Sequence, residues 1–167
     1  RAGAAVPVLR TAELATDRSQ VIDVYLDVCK RLGGVESFVA LQATTPLRTS
    51  EDISAAIRLF NDKKADSVIA VCESHPAEWH RTIGPDGVLR ESLPEKGLAN
   101  RQDLSKSYVP NGAIFVFKTA FLEARNGYYS DRTYPYVMPA ERSVDIDEPV
   151  DFVTAEAMAN ELMKVRV

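Results

Sequence analysis

The sequence predicts an α/β protein in which helices cover a mostly parallel central sheet. Helical and strand patterns alternate along the 167 residues, which is typical of this class. Residues 68–72 are all apolar (VIAVC), as in a strand that helices cover on both faces. The chain is 46% hydrophobic and 26% charged, which is ordinary for a globular protein, and its length favours one domain.

Apolar residues at helical spacing predict three main helices. The first runs through "TDRSQVIDVYLDVCKRLGG", where two glycines end it, and the second through "SEDISAAIRLF", with Ser50 as its cap. The last begins at Pro149, and a shorter helix, "TAFLEARNG", closes on Asn-Gly. The expected buried faces are Val21, Tyr25, Val28 and Leu32 in the first helix, Ile53, Ala56, Ile57 and Phe60 in the second, and Phe152, Ala155, Ala159 and Leu162 in the last.

Strands are expected between these helices. The runs "VESFVALQ", "DSVIAVCE", "GAIFVFK" and "YPYVMP" are rich in β-branched and aromatic residues. "WHRTIGPDGVLRES" predicts a hairpin that turns at Pro-Asp-Gly. The stretch "LPEKGLANRQDLSKSYVPN" has no clear period, so we expect a long functional loop.

Charge and composition bear on partners and location. The net charge of −4 gives no general reason to expect nucleic acid or an anionic membrane as partner. No apolar run is long enough to span a bilayer, and the start "RAGAAVPVLR" does not resemble a signal peptide. Cys29 and Cys72 are expected to be buried free thiols, as in a reducing compartment, so the expected location is the cytoplasm.

The acidic segment "SVDIDEPVDF" is the strongest chemical signal in the residues themselves. If it is extended, Asp145 and Asp147 share one face while Ile146 faces the core. A Mg²⁺ ion between the two carboxylates would offset their repulsion and leave coordination positions for the phosphates of a nucleotide. The alternative is a pair of solvated turn residues, with Asp151 in the first turn of the last helix favouring its dipole.

Three further side chains are weaker candidates. Gln42 ends a strand, where α/β proteins bind ligands, although "TTP" after it also suits a plain turn. Arg101 could hold a carboxylate or phosphate in a bidentate fork, or be a solvated surface charge. Asn111 precedes a glycine and a strand, a pattern that is more often a turn than a ligand site. His75 and His80 have no further ligand nearby, so a zinc site is not expected.

Four motifs in order resemble the acylneuraminate cytidylyltransferase family, the CMP-sialic acid synthetases. "LRTAELATD" resembles the family's Leu-Arg-Pro-Ala-Glu-Leu-Ala-x-Asp, and "LQATTPLRTSEDI" its Leu-Gln-Pro-Thr-Ser-Pro-Leu-Arg. "RQDLSKSYVPNGAIF" resembles its Arg-Gln-x-Leu-Pro-x-x-Tyr-Arg-Pro-Asn-Gly-Ala-Ile-Tyr, and "SVDIDEPVDF" its Ser-Ile-Asp-Ile-Asp-x-x-x-Asp-Phe. The motifs extend over almost the whole chain, which is far more specific than any one of them.

The resemblance implies a three-layer, Rossmann-like nucleotidyltransferase fold and a cytidylyltransferase reaction. CTP and a nine-carbon acidic sugar would give a CMP-sugar and pyrophosphate, with Mg²⁺ as cofactor. Carried over by motif, Asp145 and Asp147 resemble the catalytic, metal-binding pair. Gln42, Arg101 and Asn111 resemble residues that hold the sugar acid, and Arg10 resembles a contact to CTP. A homodimer is implied, with a dimerisation insertion inside about residues 77–136.

The chain also departs from the family pattern. It starts after the family's first strand and phosphate-binding loop, so residues 1–167 are expected to be one N-terminally incomplete domain that is inactive alone. Sialate-using members carry positive charge at two positions, one of which is Val109 here while the other falls near Glu78, and Phe115 replaces a Tyr. These differences suggest another nonulosonic acid, such as a legionaminic acid.

Two other interpretations stay open at this point. The chain could be a non-catalytic remnant that only dimerises or binds a partner, which the missing phosphate-binding loop favours. It could also act on the shorter acid of the lipopolysaccharide core, like a CMP-KDO synthetase, although the Asn-Gly-Ala at residues 111–113 fits the sialate branch better.

Overall fold

The computed structural model describes residues 3–93 and 101–164, except for the side chain of Arg101. Within these residues it confirms the α/β class, with helices and strands alternating along the chain. The helices are α1 (Val21–Arg31), α2 (Ser50–Lys63), α3 (Thr119–Arg125) and α4 (Pro149–Lys164). The strands are β1 (Ser37–Ala40), β2 (Ser67–Ser74), β3 (Arg81–Ile83), β4 (Leu89–Glu91), β5 (Ser107–Lys118) and β6 (Thr133–Val137), and short 3₁₀ helices lie at Ala12–Leu14, Ala77–Trp79, Arg101–Asp103 and Ala140–Arg142.

The central sheet is mixed. Its strand order is β1-β5-β2-β6, and β3 and β4 form a separate two-stranded sheet. β5 runs antiparallel to β1, with Ser37 paired to Lys118. β6 runs parallel to β2, because the N–H of Asp66 donates to Arg132 O (3.1 Å) and, further along both strands, that of Met138 donates to Val71 O (2.8 Å).

Apart from the parallel pair β2 and β6, the neighbouring strands of the described sheet run antiparallel, so the prediction of a mostly parallel sheet is wrong. A continuous apolar run indicates burial on both faces of a strand but carries no information on its direction. In its described part, the connection from β2 to β5 consists of a hairpin and short 3₁₀ helices and contains no crossover α-helix. A parallel neighbour requires such a crossover, whereas a strand that returns without one runs antiparallel.

The chain divides into two compact units, the first formed by residues 1–42, 50–69 and 114–136. The core of this unit is aromatic and centres on Phe117, which is fully buried. The Phe117 ring lies 5.4–6.4 Å, centroid to centroid, from the rings of Tyr25, Phe38, Phe115 and Tyr128. Because these rings come from α1, β1, β5 and the segment before β6, the cluster holds the helix and the strands of this unit together.

The helix predictions are confirmed in position and partly wrong in which residues are buried. In α1 the buried residues are Ile22, Val24 and Cys29, whereas Val21 is exposed. In α4 the buried residue is Ala155, and Phe152 is 62% exposed. Periodicity locates a helix, but which of its residues are buried depends on the elements that pack against it, so some residues that fit the pattern stay exposed.

The second unit comprises residues 43–49, 70–113 and 137–167, and it contains the hairpin, the acidic segment and α4. The hairpin turn is confirmed: Gly84 N–H donates to Val88 O at 2.9 Å, and Gly87 has a φ of +76°. The range 77–136, expected to contain a dimerisation insertion, also contains β5 and most of β6 of the central sheet. Within the described residues, no helix is both long and apolar enough to cross a membrane.

Candidate functional site

The acidic segment connects the 3₁₀ helix Ala140–Arg142 to α4. Residues 143–146 have no assigned secondary structure and 147–148 form a bend, so the extended alternation expected from the sequence does not place both carboxylates alike. Asp145 is half-buried, whereas Asp147 is exposed. The two acids therefore differ in environment although they are only two residues apart.

Asp145 has an unsatisfied acceptor. Its Oδ1 atom is buried and has no hydrogen-bond partner among the residues that the structure describes. An unpartnered buried carboxylate oxygen costs free energy in the folded protein. A divalent cation that takes oxygen ligands would remove this cost, so the residue fits a metal ligand.

Hydrogen bonds hold the segment around Asp145 on both sides. On the N-terminal side, the hydroxyl of Ser143 accepts a hydrogen bond from Asn111 Nδ2 (2.8 Å) and donates to Pro139 O (2.8 Å). On the C-terminal side, Ile146 N–H donates to Thr44 O at 2.8 Å. Thr44 lies in the loop "ATTPLRT" after β1, so two separate stretches of chain hold the segment that carries Asp145.

Asp151 has a structural role. Its Oδ2 accepts hydrogen bonds from the backbone N–H groups of Asp147 (3.1 Å) and Glu148 (2.9 Å) at the start of α4. These donors would otherwise lack a partner at a helix N-terminus. The placement of Asp151 in the first turn of the last helix is therefore confirmed.

Asn111 is buried in β5, with 3% of its surface exposed. Besides its bond to Ser143, its Oδ1 accepts from Ala113 N–H at 3.1 Å, an Asx turn across Gly112. Gly112 has a φ of +72°, which residues with a Cβ rarely adopt. The turn therefore needs the glycine for its backbone conformation and the asparagine for its hydrogen bond to Ala113. The amide of Asn111 is thus engaged in hydrogen bonds inside the protein.

Two other predicted site residues belong to the first unit. Gln42 is half-buried and lies two positions after the end of β1. Arg10 is exposed. Burial raises the pKa of Tyr25, and the positive charge of Arg10 partly offsets this rise. Arg101 begins a short 3₁₀ helix in the second unit, and its side chain lies outside the described residues.

A cavity of about 390 Å³ in the second unit was not predicted. Its lining includes Glu73 and Ser74 at the end of β2 and the segment before β5, where Lys106 Nζ lies 2.7 Å from Glu73 Oε2. The position of Glu73 at a strand end was the available sequence signal, since ligands bind at such ends in α/β proteins. His75 stacks against Trp79, with ring centroids 6.2 Å apart.

In the part of the chain that the structure describes, no group of three or more His, Cys, Asp or Glu side chains is arranged to hold a metal. An ion at Asp145 and Asp147 would therefore keep most of its coordination positions for water and substrate. Mg²⁺ commonly binds in this way, with one or two carboxylates and the phosphates of a nucleotide.

Several curated proteins resemble the chain over most of its length. It is 32% identical over 148 residues to the N-acylneuraminate cytidylyltransferase of Streptococcus agalactiae serotype V, covering 87% of this chain and 36% of that protein. It is 30% identical over 162 residues to the CMP-N,N'-diacetyllegionaminic acid synthase of Legionella pneumophila, covering 93% of this chain and 69% of that protein. The N-acylneuraminate cytidylyltransferase of Escherichia coli O18:K1:H7 is 31% identical, covering 89% of this chain and 36% of that protein.

These similarities differ in how much of each relative is matched. The chain spans about a third of the length of the streptococcal and Escherichia coli proteins and about two thirds of the Legionella protein. No protein-family model matches the chain. The identity and coverage with the Legionella protein, together with the four motifs, show that the chain belongs to the acylneuraminate cytidylyltransferase family.

Proposed function

We propose that this protein joins CTP and a nonulosonic acid to give a CMP-sugar and pyrophosphate, in a Rossmann-like nucleotidyltransferase fold. The observation that supports this beyond family membership is the buried, unpartnered Oδ1 of Asp145 in a segment held at both ends. A carboxylate that is costly in the folded protein and rigidly placed is typical of a functional group. A non-catalytic remnant that only binds a partner would not need a carboxylate that costs stability in this way.

Asp145 and Asp147 are the proposed metal ligands. When bound, Mg²⁺ would neutralise charge on the phosphate oxygens as the sugar hydroxyl displaces pyrophosphate. Asp145 contributes a carboxylate whose buried Oδ1 has no hydrogen-bond partner among the described residues, so a bound cation would supply the partner that this oxygen lacks. Asp147, which is exposed, contributes the second negative charge.

Three other motif residues, Gln42, Arg101 and Arg10, are proposed to bind substrates. Gln42 offers an amide that both donates and accepts, which suits the hydroxyl and acyl groups of a sugar. Arg101 would pair with the sugar carboxylate in a bidentate fork, and Arg10 with the nucleotide. The cavity beside Glu73 and Lys106 is large enough for part of such a sugar.

We propose a legionaminic-type acid as the sugar. Of two positions that carry positive charge in sialate-using members, one is Val109 here and the other falls near Glu78, and the Legionella relative is named for a legionaminic acid. Phe115 is 8% exposed and packs against Phe117 and Tyr128, so its missing hydroxyl reflects packing inside the first unit.

Pyrophosphate release tests the activity. The purified full-length protein is given CTP, Mg²⁺ and either N-acetylneuraminate or N,N'-diacetyllegionaminic acid, and we expect turnover with preference for the second sugar. Asp145→Asn should abolish it, whereas Glu148→Gln, which neutralises an exposed acid in the same segment, should retain it. Turnover by Asp145→Asn at the parent rate, or turnover that does not depend on a divalent ion, would refute the proposal.

A homodimer is the proposed assembly, with the β3–β4 hairpin as its contact. Ile83 is 75% exposed and Leu89 65% exposed, and as a cross-strand pair they form an apolar face on the hairpin. Light scattering should give twice the chain mass for the parent and the chain mass for Ile83→Asp with Leu89→Asp. Tyr129→Asp, which charges an exposed position of the other unit, is the matched control. An unchanged mass in the hairpin variant would exclude this interface.

A further inference from the structure

Family resemblance makes Asn111 a residue that holds the sugar acid, but its contacts indicate another role. The side chain is 3% exposed. Nδ2 donates to Ser143 Oγ at 2.8 Å and approaches Met138 Sδ at 3.5 Å, while Oδ1 accepts from Ala113 N–H at 3.1 Å. An asparagine amide has two donor hydrogens and two acceptor lone pairs, so only one buried lone pair remains for any other partner.

The bond from Asn111 ends on the segment that carries Asp145. Ser143 lies two residues before Asp145, and its hydroxyl also donates a hydrogen bond to Pro139 O at 2.8 Å. Ile146, directly after Asp145, is held by Thr44 O at 2.8 Å. Asp145 therefore lies between two fixed points, and Asn111 in β5 supplies one of them.

We infer that Asn111 is a positioning residue that acts through Ser143 to hold the half-buried Asp145 in place for a divalent cation. The inference rests on the proposed function, since it assigns Asn111 a positioning role in the proposed metal site. The turn across Gly112 holds Asn111 itself, so hydrogen bonds connect β5 to the segment that carries Asp145. Groups that orient a metal ligand without touching the metal typically alter metal affinity by about 10–100-fold.

The test measures Mn²⁺ binding to the full-length protein by water-proton relaxation, beside thermal unfolding. Ser143→Ala should weaken Mn²⁺ binding by about tenfold, the lower end for outer-shell partners, while Ser143→Thr, which keeps the hydroxyl, should restore it. Ser130→Ala is the matched control. Ser130 Oγ also donates a half-buried hydrogen bond, to Asp66 Oδ2 at 2.9 Å, and belongs to the other unit, so its loss should leave the Mn²⁺ affinity unchanged.

Asn111→Ala should weaken Mn²⁺ binding as Ser143→Ala does, and the double variant should be no weaker than either single one. If Asn111→Ala does not fold, the pair Ser143→Ala and Ser143→Thr carries the test alone. Steady-state kinetics with the better of the two sugars separates the roles. A raised KM for the sugar in Asn111→Ala and Ser143→Ala, with unchanged Mn²⁺ affinity, would overturn the inference, as would weakened Mn²⁺ binding in Ser130→Ala.

Asp145→Asn separates failure of the inference from failure of the proposed function. If Asp145→Asn loses Mn²⁺ binding while Ser143→Ala keeps it, the metal site stands and the positioning role of Asn111 falls. If Asp145→Asn binds Mn²⁺ as the parent does, the metal site and the inference fall together.

Discussion

Replacing Asp145 by asparagine is expected to stabilise the metal-free protein while it weakens cation binding. The buried Oδ1 of Asp145 has no hydrogen-bond partner among the described residues. A buried acceptor without a partner costs about 1–3 kcal/mol, and more when it is charged. The amide of asparagine is neutral and cheaper to bury, so we expect the free energy of unfolding to rise by about 1 kcal/mol.

The assay is thermal unfolding of the full-length protein with and without Mg²⁺. A gain of about 1 kcal/mol raises the midpoint by about 2–4 °C in a domain of this size. The parent should also gain about 2.7 kcal/mol when Mg²⁺ is present at 100 times its Kd, because the ligand binds only the folded state. Asp145→Asn should lose that gain, so the ranking of the two proteins should reverse between the two buffers.

Asp147→Asn is the matched control, since Asp147 carries the same charge but is exposed. It should leave the metal-free stability within about 0.5 kcal/mol, as surface substitutions usually do, and still reduce the stabilisation by Mg²⁺. A lower midpoint for Asp145→Asn in metal-free buffer would refute the reasoning, because the carboxylate would then be contributing to stability and not costing it.

Three further outcomes follow from contacts in the first unit. Phe117→Ala should destabilise the protein by about 3–5 kcal/mol in urea unfolding, because it empties the centre of the aromatic core, and a cost below that of an exposed residue would contradict this packing. Tyr136→Phe should cost about 1.5–3 kcal/mol, since the hydroxyl of Tyr136 donates to Oδ1 of the buried Asp52 at 3.0 Å, and an unchanged urea midpoint would show that this bond contributes nothing. Burial raises the pKa of Tyr25 above its ordinary 10.0, so the stability it contributes is complete below pH 10 and is lost as the pH rises through the folded-state pKa. Unfolding measured between pH 9 and 11.5 should therefore depend less on pH in Tyr25→Phe, and an identical pH profile would disprove the assignment.

The helices and the hairpin could be predicted from the sequence because their signals are local. A helix follows from the spacing of residues within one segment, and the hairpin from Pro-Asp-Gly between two short strands. Strand direction could not be predicted in the same way. Strand direction depends on how the chain returns to the sheet. The residues "GAIFVFK" do not indicate that β5 lies antiparallel to β1.

The acidic segment shows the same limit at the level of single residues. The residue types alone indicated a cation site, but the assumption of an extended strand failed, and Asp145 and Asp147 differ in burial. The segment is held by hydrogen bonds to Thr44 and Asn111, which are distant in sequence and meet it only in the fold. For Asn111, the Asn-Gly turn signal was correct for the local geometry, whereas its partner Ser143 could not be found from sequence spacing.

The order of strands in the central sheet has a consequence for how the chain folds. β1 and β2 follow each other in sequence, but β5 lies between them, so neither can complete its hydrogen bonds until residues 107–118 have been synthesised. Pairings so far apart in sequence slow folding, because a long loop must close before any contact compensates for its entropy. During synthesis, the apolar strand β2 is left with open edges, which favours aggregation at that stage. Chaperone dependence during translation should therefore be greatest just before β5 leaves the ribosome.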